Sequence, residues 1–132
     1  MARILLVEDD PAFAYAIARS LRAEGHEVVA CDESIKALEE LESQRAVDIL
    51  VTDLRLPAGV PHGFSLGRMA KLRRPHLPII FMTGYPDIAA NDKTPPGPVL
   101  FKPIEPRALG AVVADELALA AKTASQGRRP LS

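Results

Sequence analysis

Ile4-Leu5-Leu6-Val7-Glu8-Asp9-Asp10-Pro11 is the stretch on which the fold turns. Four aliphatic residues in unbroken succession, closed abruptly by charge, read as a strand buried on both faces, the kind found in parallel sheets covered by helices. Asp10 then supplies a helix N-cap. Pro11 suits the first helical position, where its fixed φ and missing N–H cost nothing. Phe13, Ile17 and Leu21 recur at spacing four up to Gly25, which is placed to act as the C′ cap. A strand passes into a helix with almost no loop.

The same alternation continues outward. Val28–Ala30 reads as a second strand, and Ser34 or Asp32 is expected to cap a helix with Ile35, Leu38 and Leu41 inward and Glu39, Glu40 and Glu42 toward water. Asp48–Leu54 forms a third strand, and the loop from Arg55 to Gly63 leads to a helix carrying Phe64, Leu66, Met69 and Leu72. A fourth strand covers Leu77–Met82. Four prolines and two glycines in Thr83–Pro98 make the fourth helix short or irregular, around Pro86–Asn91. Val99–Phe101 is the fifth strand, and Pro106 opens a last helix through Leu109, Val112, Val113 and Leu117. The domain is expected over residues 1–121, with a disordered polar tail over 122–132. Five alternations without a hairpin signal predict an α/β fold: a parallel sheet with helices on both faces and right-handed crossovers.

Composition narrows the function. At 132 residues the chain suits one domain. With few aromatics and no Trp the core is aliphatic. Cys31 is the sole cysteine, so no internal disulfide or cysteine zinc site is available, and a reducing cytoplasm suits it. No segment has the form of a signal peptide or approaches membrane-spanning length. Residues 1–52 carry 5 basic and 11 acidic side chains and residues 53–132 carry 11 and 6, a balance that does not favour nonspecific DNA binding. His26, His62 and His76 follow no metal spacing, Asp10 is assigned to capping, and Cys31 to an ordinary thiol. Arg68, Lys71, Arg73 and Arg74 read as a solvated face complementing a helix dipole.

In sheets of this kind the ligand crevice lies beyond the carboxyl ends of the strands. Glu8 and Asp9 follow the first strand, Asp53 ends the third, Thr83 follows the fourth and Lys102 the fifth. Three crowded carboxylates raise one another's pKa unless a cation compensates, and an all-oxygen set suits Mg²⁺. An Asp carboxylate can attack phosphorus, Lys102 can neutralise the charge that develops, and the Thr83 hydroxyl can bond a phosphoryl oxygen.

The segments Ile-Leu-Leu-Val-Glu-Asp-Asp-Pro, Leu-Val-Thr-Asp-Leu-Arg-Leu-Pro, Ile-Ile-Phe-Met-Thr-Gly-Tyr and Leu-Phe-Lys-Pro resemble the four signatures of bacterial response-regulator receiver domains. The resemblance implies a flavodoxin-like (βα)5 fold with strand order 2-1-3-4-5, Asp53 as phosphoacceptor with Thr83 and Lys102, and Mg²⁺ held by Glu8, Asp9, Asp53 and the Arg55 backbone carbonyl. It also implies a cis peptide at Lys102-Pro103. The donor would be a sensor histidine kinase or a histidine phosphotransferase, and the output a protein partner, without direct DNA binding or membrane association. A phosphorelay intermediate or phosphate sink is the alternative. A degenerate, phosphorylation-independent adaptor is disfavoured because every principal position holds a competent residue.

Two departures stand out. Val99 occupies the place of the family's switch aromatic, and Thr83-Gly84-Tyr85 is similar to a subgroup of small single-domain receivers, so Tyr85 is expected to stand in for the missing ring. The loop Pro57–Gly63 is about two residues longer than usual for the family. Arg55 and Tyr85, each two residues beyond a site residue, are expected to overhang the phosphoryl group. A haloacid-dehalogenase-type phosphatase would need a second Asp where Arg55 stands. Glu8-Asp9-Asp10 would repel a flavin phosphate, and too few residues follow the last helix for a helix-turn-helix.

Overall fold

Five short strands, β1 (Arg3–Val7), β2 (Glu27–Cys31), β3 (Ile49–Asp53), β4 (Ile79–Thr83) and β5 (Val99–Phe101), pair in parallel in the order β2-β1-β3-β4-β5. They alternate with α1 (Pro11–Ala23), α2 (Ser34–Glu42), α3 (Gly63–Arg73), α4 (Pro86–Ala90) and α5 (Pro106–Gly127). This computed structural model describes residues 1–56, 62–90 and 92–127. The segment Pro57–Pro61, the end of the fourth helix expected at Asn91, and residues 128–132 of the expected tail lie outside those described.

Successive side chains of a strand point to opposite faces, so each aliphatic run feeds two cores. Leu5, Val7, Leu50, Ile79 and Phe81 face α2 and α3, packing on Ala37, Leu41, Phe64, Leu66 and Ala70. Ile4, Leu6, Ile49, Val51, Ile80 and Met82 face α1 and α5, packing on Ile17, Leu21, Leu109 and Val113. The interior strands β3 and β4 are buried throughout, whereas the edge strands β2 and β5 are only partly so. No described helix is long and apolar enough to cross a membrane.

Asp10 caps α1 as expected, its carboxylate accepting from the N–H groups of Ala12 at 3.0 Å and Phe13 at 3.4 Å. Gly25 takes φ 97°, the left-handed conformation of a C′ residue. At α2 the structure corrects the reading. The N-cap is Glu33, without a side-chain bond to the helix, because Asp32 is bonded to Lys36 at 2.8 Å and Ser34 already lies inside the helix. The buried stripe is Ser34, Ala37 and Leu41 with Leu38 at its margin, leaving Ile35 45% exposed. Small side chains at 34 and 37 let the helix approach closely, and that approach turns Ile35 outward. Glu40, expected in water, is mostly buried between Arg3 and Arg45. The last helix also outruns its expected end near Lys122 and continues to Gly127. The run Ala118, Ala120, Ala121 and Ala124 has high helix propensity, and the Thr123 hydroxyl donates to the Leu119 carbonyl at 3.0 Å.

Candidate functional site

Register brings the site together. Val7 pairs with Thr52, so one further step sets Glu8 beside Asp53, and Thr83 pairs with Phe101, so Lys102 follows at the same edge. Carboxylate oxygens of Glu8, Asp9 and Asp53 lie within 4.8 Å of one another. Lys102 Nζ donates to Glu8 Oε1 at 2.7 Å and to Asp53 Oδ2 at 3.0 Å. The remaining oxygens are also held: Glu8 Oε2 accepts from the Asp10 N–H at 3.1 Å, and Asp53 Oδ1 accepts from the Arg55 N–H at 3.2 Å. These groups line an open cleft of about 800 Å³ with Leu56, Gly84 and Tyr85. Gly63 lets the start of α3 come back against β3, since a Cβ there would stand 2.5 Å from the Asp53 carbonyl oxygen.

Charge is unevenly borne. Glu8 is almost fully buried, and desolvation pushes its carboxyl up to about 7 despite the bonds from Lys102 and Asp10, with the nearby Asp53 charge adding to the rise. Burial pulls Lys102 down, but its bonds to Glu8 and Asp53 outweigh that and hold it above its ordinary value. One ammonium facing three carboxylates leaves the cluster short of positive charge. Oxygen-only donors under excess negative charge suit a small hard divalent cation such as Mg²⁺.

Thr83 ends β4 fully buried, and its hydroxyl is tied to the next turn rather than open to the cleft. Its Oγ1 accepts from the Tyr85 N–H at 2.9 Å, and the hydroxyl reaches back to the Tyr85 carbonyl over a long 3.4 Å. Arg55 and Tyr85 meet across the cleft, the guanidinium carbon 4.7 Å from the ring centroid. Lys102-Pro103 is cis. Cys31 is pushed up to about 11, chiefly by burial and next by the Glu40 charge, so it is an inert thiol at neutral pH. His26 accepts the Ala2 N–H through Nδ1, and His62 meets the Ser65 hydroxyl at 3.2 Å. The basic run is not simply solvated: Arg68 pairs with Asp92, Arg73 with Glu42, and Arg74 bonds backbone carbonyls around the end of α2. Sequence reasoning placed Phe13 only in the core. Its ring in fact faces Lys102, with Nζ 4.6 Å from the centroid. Its position three residues after Asp10, in the first turn beside the acid pair, was the available signal.

A doubly wound α/β domain that gathers carboxylates and a lysine at the carboxyl edge of its sheet has the architecture of a signalling receiver. The chain belongs to the response regulator receiver domain family, whose model matches residues 4–114. Over 116 residues it is 37% identical to response regulator protein FleR of Pseudomonas aeruginosa, an alignment covering 86% of this chain but 24% of that protein. It is 34% identical over 112 residues to the response regulator receiver protein CpdR of Brucella abortus, covering 83% of this chain and 91% of CpdR. A crystal structure of a response regulator receiver protein from Sinorhizobium medicae superposes with a TM-score of 0.81 at 28% identity, covering 90% of this chain and 96% of that one. Membership places this receiver domain in two-component signalling, and the chain spans only about a quarter of FleR.

Proposed function

We propose that this chain is a stand-alone, cytoplasmic receiver that accepts a phosphoryl group on Asp53 from the phosphohistidine of a histidine kinase or histidine phosphotransferase, and acts when phosphorylated by binding another protein. The observation that carries this reading is the Lys102 ammonium bonded to both Asp53 and Glu8 inside the acid cluster. An Asp53 carboxylate oxygen attacks phosphorus in line with the leaving nitrogen. The P–O bond forms as the P–N bond breaks, and the imidazole leaves with the electron pair and takes up a proton. Lys102, already beside the nucleophile, neutralises charge on the phosphoryl oxygens. Glu8, Asp9, Asp53 and the Arg55 backbone carbonyl would hold Mg²⁺, which when bound supplies the positive charge that admits an anionic donor among three carboxylates.

To reach a phosphoryl oxygen the Thr83 hydroxyl would turn its proton away from the Tyr85 carbonyl, to which it is held only over 3.4 Å. That exchange would loosen the turn between Thr83 and Tyr85 and move Tyr85 to take the place of the ring absent at Val99. Arg55 and Tyr85 overhang the phosphoryl group and set its lifetime.

Incubation with Mg²⁺ and phosphoramidate, followed by mass-spectrometric mapping of acid-labile phosphate, tests the assignment. One phosphoryl group on Asp53 is expected. No modification in the wild type, or equal modification in Asp53→Asn, overturns it.

A further inference from the structure

We infer that Phe13 is a positioning residue for the phosphoacceptor site, holding the Lys102 ammonium through the face of its ring. This inference rests on the reading of Asp53 and Lys102 given above. The lysine side chain is long, flexible and about a quarter exposed, so two hydrogen bonds alone leave it free to swing into water. Its ammonium is surrounded on three sides instead: Glu8 Oε1 at 2.7 Å, Asp53 Oδ2 at 3.0 Å and the Phe13 ring centroid at 4.6 Å. A cation at that distance over an aromatic face is attracted by the ring quadrupole.

The ring is itself held in place. Phe13 packs against the core between the sheet, α1 and α5, and its N–H donates to the Asp10 carboxylate that caps α1. The Asp10 N–H in turn bonds Glu8 Oε2, and Glu8 Oε1 receives Lys102. Glu8, Asp10, Phe13 and Lys102 therefore form a closed circuit of contacts. The helix cap and the phosphoryl-neutralising charge are fixed by the same short stretch of chain. When a phosphoryl group reaches Asp53, the ammonium is already where charge develops and need not be recruited from solvent.

The test compares Phe13→Leu, Phe13→Tyr and pentafluorophenylalanine at position 13, which keeps the shape of the ring and reverses its quadrupole. Initial rates with phosphoramidate at fixed Mg²⁺ are expected to fall about fivefold for the leucine and pentafluoro proteins and to stay near wild type for tyrosine. The NMR signals of the Lys102 ε-methylene, shifted by the ring current in wild type, should move toward free-lysine values in Phe13→Leu without any phosphodonor. A pentafluoro protein that reacts at the wild-type rate overturns the inference, as does a Phe13→Leu protein whose Lys102 signals do not move. Asp53→Asn is the control that separates the two claims. If wild type and Asp53→Asn are modified alike, the phosphoacceptor reading fails, while the Lys102 signals still decide the placement by Phe13.

Discussion

Glu8 is the residue on which solvent, charge and metal binding meet. Its folded pKa of about 7 lies above its ordinary value of 4.5, so the folded state retains a proton that the unfolded chain gives up. For the metal-free protein the sign follows directly. Below about pH 4.5 both states are protonated and Glu8 costs nothing. Between there and about 7 the folded state is progressively penalised for keeping the group buried, so this contribution lowers stability as pH rises. Denaturant titrations of metal-free wild type and Glu8→Gln from pH 5 to 8 should show the wild type losing ground to the variant across that window. Mg²⁺ held as proposed would compete with the same proton, so calorimetry in buffers of different ionisation enthalpy should detect proton release on metal binding near pH 6.5 and little near pH 8.5. Asp53→Asn removes a charge that raises Glu8, and proton release near pH 6.5 should shrink in that variant.

At the scale of elements, Arg74 joins two helices on one face of the sheet. Its guanidinium donates to the carbonyls of Leu41, Ser43 and Arg45, groups left without helical partners where α2 ends. Arg74→Ala should lower stability by about 1–3 kcal/mol, measured by urea unfolding, and Arg74→Lys should recover only part of it because an ammonium lacks the guanidinium fork. Gly63→Ala should cost about 1–3 kcal/mol as well, since its methyl would press on the Asp53 carbonyl, and it should slow phosphorylation by disturbing the end of β3. The strands were legible in the sequence because a run such as Ile49-Leu50-Val51 has one way to be buried on both sides, while their order came from the resemblance of the four strand-end segments to receiver signatures. The positions of Glu8, Asp9, Asp53 and Lys102 were legible for the same reason, each standing where such a run stops. The facing of α2 was not, because spacing weighs Ile35 as core while close packing at Ser34 and Ala37 decides the rotation. Nor was the contact of Phe13 with Lys102, which joins the first turn of α1 to the residue that follows β5, a distance no periodicity encodes.

The whole molecule answers to the site through linkage. A ligand bound only by the folded state stabilises it by about 2.7 kcal/mol at one hundred times its dissociation constant. Millimolar Mg²⁺ should therefore raise the melting temperature at pH 8, and Asp9→Asn, which removes a carboxylate from the cluster, should abolish most of that rise in differential scanning calorimetry. The partners in the site lie far apart along the chain: Lys102 and Glu8, bonded at 2.7 Å, are 94 residues apart, and Lys102 and Asp53 are 49 apart. Asp53 is made early, but the ammonium that completes its surroundings arrives only after β5 has docked beside β4. A polypeptide still emerging from the ribosome, or one clipped before Val99, thus carries Asp53 without the ammonium that, on the proposed reading, readies it for phosphorylation. On the proposed reading, competence to take up a phosphoryl group would then report that the sheet has closed through its last strand, and chains lacking that strand would draw little phosphate from a shared donor.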